Sequence, residues 1–149
     1  MTLTIHPDLV KAYRASEYVV FYGSRDIKFR VGETSADISE LMRIANVTTA
    51  SFLTASNPRS EGGAPTRWAV AQAALTKDIA ELGLTALPGE GRDPTGAWLA
   101  EPSLLVLGIS LSDAELLAER YRQNAFLWIG SCAGKTTLNL TAPCLNAKD

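Results

Sequence analysis

The sequence predicts an α+β fold with a ferredoxin-like (split βαβ) core, an N-terminal extension of helix and β-hairpin, and an extra C-terminal strand. The main observation is the order strand, helix, strand, strand, helix, strand over residues 47–130. The second is size and composition: 149 residues, 46% of them hydrophobic, match one domain with its own core. We therefore expect a single domain, 1–149, with the extension at 1–46, the core at 47–130 and the last strand and tail at 131–149. A doubly wound parallel sheet is the alternative.

In the N-terminal extension, the sequence predicts a helix, a hairpin and a second helix. Pro7 opens a stretch with helical spacing, and proline is tolerated in a first turn. Two β-rich runs, 18–22 and 27–31, flank a glycine-containing turn, which is typical of a hairpin. Asp37 and Glu40 have the spacing of a capping box, so a second helix should begin there.

The first half of the core predicts a strand at 47–55, a helix at about 66–82 and two further strands. In the helix, apolar residues recur every three or four positions, and Gly83 supplies the stop. A short strand is expected at 84–87. The most hydrophobic run of the chain, 104–109, should be a central strand.

The second half of the core predicts a helix beginning at a Ser112–Glu115 capping box and strands at 125–129 and 137–141. The connection between these strands resembles a phosphate-binding loop. However, three residues rather than four separate Gly130 from Gly134, and a strand follows instead of a helix. A hairpin turn is therefore expected here.

Composition excludes several classes of function. Fourteen basic residues are scattered against sixteen acidic ones, net charge -2, which argues against nucleic-acid and membrane partners. His6 is the single histidine, so triads and multi-histidine metal sites are not expected. Cys132 and Cys144 lack CxxC spacing; a disulfide between them is left open, and a reducing cytoplasm fits best.

The predicted order of elements brings three polar segments to one end of the sheet. They are the exit of the first core strand, Asn57–Ser60, the long connection Pro88–Pro102, and the entry to the fourth core strand, Gln123–Asn124. In the split arrangement the two strands flanking each helix run the same way, so these loops share an end. The sequence therefore predicts a site at this end, with one wall formed by the Pro88–Pro102 connection.

The residue types at this end favour an anionic ligand. Asn57, Arg59 and Ser60 precede a glycine-rich turn and a helix start, where unpaired N–H groups attract negative charge. Arg59 and Arg92 can bind phosphate or carboxylate, and Gln123 and Asn124 can add hydrogen bonds. We expect a nucleotide or a phosphorylated metabolite. A plain turn with a surface arginine is the alternative.

Two other functions stay open. Glu90, Asp93 and Glu101 could act as catalytic bases or Mg²⁺ ligands in a hydrolase or transferase, although their spacing matches no metal motif. Trp98 could instead dock on a partner protein. Trp98 and Leu99 are expected to anchor the connection by apolar contacts. In the simplest alternative the connection is a packed loop whose Arg92 pairs with Asp93 or Glu101.

Several segments together resemble the bacterial domain-of-unknown-function family 3293. They are Phe52–Ser60, Leu87–Pro94, Trp98, Glu101–Ile109 and Gln123–Ala125. The resemblance covers roughly residues 47–130 and little of the N-terminal region. The family has an acid-rich segment with an asparagine where this chain has Gly62–Trp68, so no role for that asparagine carries over. The resemblance implies no activity, since the family is uncharacterised.

Overall fold

Four α-helices and seven β-strands make up the regular structure of the residues described. The structure is a computed structural model, and it describes residues 4–60, 63–130 and 134–142. The elements follow one another as α1 (Pro7–Ala15), β1 (Glu17–Tyr22), β2 (Arg25–Phe29), α2 (Ala36–Ile44), β3 (Ala50–Leu53), α3 (Pro65–Glu81), β4 (Thr85–Arg92), β5 (Glu101–Leu107), α4 (Leu111–Arg120), β6 (Ala125–Ile129) and β7 (Thr137–Leu140). A 3₁₀ turn, Pro58–Ser60, lies between β3 and α3.

The strands form one sheet in the order β2-β1-β4-β5-β3-β6-β7, and every neighbouring pair is antiparallel. The predicted α+β class is therefore confirmed, as are the N-terminal hairpin and the additional strand β7. The doubly wound parallel sheet is excluded. The hairpin joins the sheet through β1, which pairs with β4 and makes β4 an interior strand.

Helices cover both faces of the sheet, because successive side chains of a strand point to opposite sides. On the first face, which we call the α3–α4 face, Leu75 of α3 and Leu117 of α4 share a core cluster with Leu104 of β5. On the second face, the α1–α2 face, Ile38 of α2 lies in a separate core cluster with Leu105 of β5. The sheet thus separates two hydrophobic cores.

The strand predicted at 84–87 is present but extends further than predicted, and the long connection predicted after it was wrong. β4 extends from Thr85 to Arg92 and β5 begins at Glu101, so the loop between them is only 93–100. Proline and glycine lower strand propensity, which hid the second half of β4. Pairing of residues 89–92 with β1 fixes this segment as a strand, and that long-range contact is not visible in local sequence.

Both helix caps differ from the predicted ones. The Ser35 hydroxyl caps α2 by accepting from the Ile38 N–H, and the Ser110 hydroxyl caps α4 by accepting from the Asp113 N–H. Each cap precedes the residue that we predicted, Asp37 or Ser112. By contrast, the predicted first helix and the strand 125–129 match α1 and β6.

Part of the predicted turn between β6 and β7 lies outside the described residues, as do Cys132 and Cys144. Among the described residues, no helix combines the length and the apolar character that crossing a membrane requires.

Candidate functional site

A cavity of about 520 Å³ lies between α1 and the α1–α2 face of the sheet. Its lining has an apolar body and a polar end. The apolar wall includes Leu9, Ala12, Tyr13, Tyr18, Phe52, Trp98, Phe126, Leu127 and Leu138. The polar end includes Thr54, Asn57, Glu101, Ser103 and Gln123. Cavities of this size and mixed lining are typical of small-molecule sites.

Helix α1 roofs the cavity without being packed into a core. His6 caps it by accepting from the Asp8 N–H at 3.1 Å. The helix has no buried residue of its own, and it is tied to the sheet by polar contacts. The Tyr18 hydroxyl donates to the Tyr13 carbonyl at 2.8 Å, and Arg30 donates to the Ala15 carbonyl at 3.0 Å. Space therefore remains beneath α1.

Two glycines of β4 shape the floor of the cavity. A Cβ at Gly89 would collide with the Val19 carbonyl oxygen and lie 3.0 Å from Cε1 of Phe52. A Cβ at Gly91 would meet only the Tyr18 ring, at an ordinary 3.5 Å. Gly89 therefore allows β1 and Phe52 to approach β4 closely, whereas Gly91 leaves open space that belongs to the cavity.

The polar end is formed where three distant segments meet. The Asn57 side-chain amide donates to Oε2 of Glu101 at 2.8 Å. Nε2 of Gln123 donates to the Ser56 carbonyl at 3.0 Å, and Nη1 of Arg59 donates to the Gln123 carbonyl at 3.2 Å. The exit of β3, the start of β5 and the entry to β6 are thus hydrogen-bonded together, at the end of the sheet where the sequence predicted them to converge.

Glu101 is a carboxyl group of the cavity whose pKa is shifted by burial. Burial raises the pKa of its carboxyl, and the hydrogen bond from Asn57 offsets part of that effect because it stabilises the ionised form. Burial likewise raises the pKa of Tyr18, with a smaller contribution from the charge of Glu101. The cavity therefore contains one carboxyl group that gives up its proton less readily than an exposed glutamate.

Glu90 and Arg92 lie on the other face of the sheet. Gly91 lines the cavity and is paired with Glu101, whereas Glu90 is paired with Pro102. Because successive side chains of a strand point to opposite faces, Glu90 and Arg92 point away from the cavity. Nε of Arg92 is 2.5 Å from Oε2 of Glu90, and this hydrogen bond raises the pKa of Arg92. The structure therefore does not bring these two predicted residues together with Glu101.

Asp93 organises the loop 93–100. Its Oδ1 accepts from the Thr95 N–H at 2.9 Å and the Thr95 hydroxyl at 2.8 Å, and its Oδ2 accepts from the Ala97 N–H at 2.9 Å. These bonds, led by the one from the Thr95 backbone, lower the pKa of Asp93. Trp98 lines the cavity, but Leu99 is 63% exposed, so the expectation that Leu99 anchors the loop was wrong.

The carboxylates Glu90, Asp93 and Glu101 are thus engaged in three different places. Within residues 4–60, 63–130 and 134–142, no group of three or more His, Cys, Asp or Glu side chains could hold a metal ion. The three predicted acids therefore do not form a Mg²⁺ site there, and Glu101 is the one that faces the cavity.

Arg59, Ser60 and Asn124 have mainly structural surroundings. The Arg59 N–H donates to the Arg122 carbonyl at 2.6 Å, and its φ of 54° is in the left-handed region. The Asn124 carbonyl accepts from the Thr141 N–H, and the Asn124 side chain is buried. Ser60 ends the 3₁₀ turn, and its side chain lies outside the described part. Among the residues whose side chains are described, neither Arg59 nor Asn124 lines the cavity.

The sequence interpretation missed the residues that α1 and β1 contribute, which are Asp8, Leu9, Ala12, Tyr13 and Tyr18 in the described lining. Nothing in the local pattern of an apolar strand identifies Tyr18 as a cavity residue. One signal was available: two glycines at alternate positions, Gly89 and Gly91, place missing side chains on the same face of a strand and indicate a close approach or a ligand.

A family model described as "Protein of unknown function (DUF3293)" matches residues 53–126. Comparisons with curated proteins and with solved structures gave no match. The matched segment contains Asn57, Glu101 and Gln123, the polar end of the cavity, whereas α1 and β1 lie outside it. The segment from the end of β3 to the start of β6 therefore resembles the DUF3293 family of proteins of unknown function.

Proposed function

We propose that this protein binds a small molecule with an apolar body in the cavity under α1. The observation that carries the proposal is the cavity itself, about 520 Å³, whose polar end contains the hydrogen-bonded pair Asn57–Glu101. Ligand pockets typically measure about 300–1,000 Å³ and combine apolar walls with a few polar groups that orient the ligand. The apolar wall would supply affinity and the polar end would supply orientation.

The charges around the cavity favour a neutral or cationic ligand over the anion expected from sequence. Its described lining includes the acids Asp8 and Glu101 and contains no lysine or arginine. An anion would have to recruit Arg59 or Arg92, and these side chains donate to the Gln123 carbonyl and to Glu90. A buried carboxylate close to an anion would oppose its binding.

Two alanines of α1 provide a matched test. Ala12 lines the cavity, whereas Ala15 is exposed and does not. We expect Ala12→Trp to fill the cavity and abolish ligand-induced thermal stabilisation across a panel of apolar amines and alcohols. Ala15→Trp makes the same chemical change on the same helix and should bind as the unmodified chain does. Equal ligand stabilisation of both variants would exclude the cavity as the site.

A second candidate function is acid–base catalysis by Glu101. The observation in its favour is the raised pKa of a carboxyl group that lines a cavity, an arrangement common in general acids. Glu101→Gln would then abolish turnover of a bound substrate while retaining its binding. Turnover that survives in Glu101→Gln would exclude this role.

We further propose that β3-α3-β4-β5-α4-β6 is a ferredoxin-like core. Its support is the strand order β4-β5-β3-β6, in which β5 separates β4 from β3 and so splits the β3-α3-β4 unit. An experimental structure with another strand order would overturn it.

We also propose a cytoplasmic location, which was predicted from cysteine usage and can be checked by cell fractionation.

A further inference from the structure

Building on the proposed small-molecule site, we propose that its ligand carries a protonated amine, which the Glu101 carboxylate binds at the polar end of the cavity. The inference deepens the proposed function by assigning the ligand's head group. It rests on the arrangement of Glu101, on the charges that line the cavity and on its aromatic wall.

Glu101 has hydrogen-bonding capacity to spare. Asn57 donates to Oε2, and it is the only donor to this carboxylate among the described residues. An ionised carboxylate accepts about four hydrogen bonds. Glu101 also lines the cavity, so Oε1 is the natural acceptor for a donor that a ligand brings in. An ammonium group offers up to three such donors together with the opposite charge.

The other titratable groups of the described lining do not compensate the charge of Glu101. They are His6, the N-cap of α1, Asp8 and Tyr13 of α1, and Tyr18 of β1. Asp8 has the same sign as Glu101 and is exposed at the rim, where His6 lies 3.7 Å from it. Tyr18 is hydrogen-bonded to the Tyr13 carbonyl. A cation entering the cavity therefore meets uncompensated negative charge.

The aromatic wall suits the same ligand. Tyr18 and Phe52 are packed edge to face with ring centroids 5.7 Å apart, and Trp98 also lines the cavity. Aromatic rings attract cations through the negative charge on their faces, and tryptophan does so most strongly. An amine with an apolar body would use the rings for both its head group and its body.

Amine binding should be coupled to proton release. Burial disfavours the ionised form of Glu101, while an ammonium partner favours it. An amine therefore displaces a proton wherever Glu101 is protonated in the free protein. Amine affinity should fall as the pH is lowered through the raised pKa of Glu101, and the affinity of a neutral alcohol should not fall in the same way.

The test uses probes that share a body and differ in head group. Tryptamine, tryptophol and indole-3-propionate form one set; octylamine, octanol and octanoate form another. Binding is measured by calorimetry in buffers of different ionisation enthalpy, so that released protons are counted. We expect the amine of at least one set to bind about tenfold or more tightly than its alcohol, with the acid weakest, because charged hydrogen bonds are stronger than neutral ones.

Two variants separate the outcomes. Glu101→Gln should remove the amine preference and the proton release while keeping alcohol binding. Glu90→Gln removes a carboxylate from the opposite face of the sheet and should change neither. Equal or tighter binding of alcohol or acid overturns the amine inference and leaves the proposed cavity function standing, as does an amine preference that persists in Glu101→Gln. If no member of either set binds, the proposed function and the inference fall together.

Discussion

Glu101 lies under two opposing influences: burial raises the pKa of its carboxyl, and the hydrogen bond from Asn57 lowers it. Asparagine suits position 57 for two reasons, of which this amide contact is the first and the backbone conformation is the second. Its φ is 49°, and asparagine tolerates the left-handed region better than most residues. One residue thus provides both the backbone turn after β3 and the donor that orients the acid.

The raised pKa of Glu101 makes the stability of the protein depend on pH. Protonated Glu101 contributes stability below its ordinary value of 4.5, and this contribution is lost as the pH rises through the raised value. Glu101→Gln should therefore gain stability relative to the unmodified chain as the pH rises over that interval. Urea unfolding from about pH 4 to pH 8 would measure this. Parallel stability curves for the two proteins would contradict the burial of Glu101.

At the scale of elements, β4 combines two glycines with full pairing on both sides over residues 89–91. Pro88 directly precedes the β1 pairing, at a place where its missing N–H breaks no bond to that strand. The proline and glycine content of residues 88–91 therefore indicated a loop, whereas pairing with β1 makes this segment part of a strand. Gly89 is needed because Val19 and Phe52 lie against it, whereas no such close neighbour requires Gly91.

The two β4 glycines should respond differently to the same substitution. Gly89→Ala forces a methyl group against the Val19 carbonyl and Phe52, and we expect it to cost about 1–3 kcal/mol. Gly91→Ala places its methyl group at contact distance from Tyr18 in open space, and should be neutral or stabilising by up to about 1 kcal/mol. Chemical denaturation compares them. A similar loss of stability in both would show that β4 is not packed as described.

Helix α1 is the least buried of the helices in the described part of the chain. It buries none of its residues, whereas α2 buries Ile38, Leu41 and Met42. Elements with few buried apolar contacts open locally at low free-energy cost. We expect the amides of α1 to exchange with solvent faster than those of α2, and a ligand in the cavity to slow α1 selectively. Equal protection of both helices without ligand would be contrary to this prediction.

At the scale of the whole molecule, Gln123 joins segments far apart in sequence. Its side-chain Nε2 donates to the Ser56 and Tyr121 carbonyls. Its main-chain carbonyl accepts from Arg59 and from the Thr141 hydroxyl. Gln123 is 7% exposed. The contacts fix the exit of β3 relative to the entry of β6, and hence the shape of the polar end.

Gln123→Met keeps most of the side-chain volume and removes both side-chain donors. The Ser56 carbonyl would lose its bond from Gln123, and such losses in buried surroundings cost about 1–3 kcal/mol. Urea unfolding should show this decrease with an unchanged dependence on denaturant. A change below about 0.5 kcal/mol would indicate that the bonds are readily replaced by water.

The sequence by itself determined the α+β class, the order of the elements and the convergence of the segments around Asn57, Glu101 and Gln123. These follow from periodicity and from the geometry of strand–helix–strand units, which are local properties of the chain. The catalytic or binding chemistry expected of Arg59, Arg92 and Glu90 stays a prediction, as does docking of a partner on Trp98.

Only the tertiary structure decided the length of β4, the face on which each polar side chain lies, and the existence of the cavity. Glu90 and Arg92 are charged residues close to Glu101 in the sequence. Because successive side chains of a strand point to opposite faces, they lie on the face opposite to that of Glu101. The cavity arises because α1, remote in sequence, roofs the sheet without filling the space left by Gly91. Both depend on long-range packing, which short-range propensities do not encode.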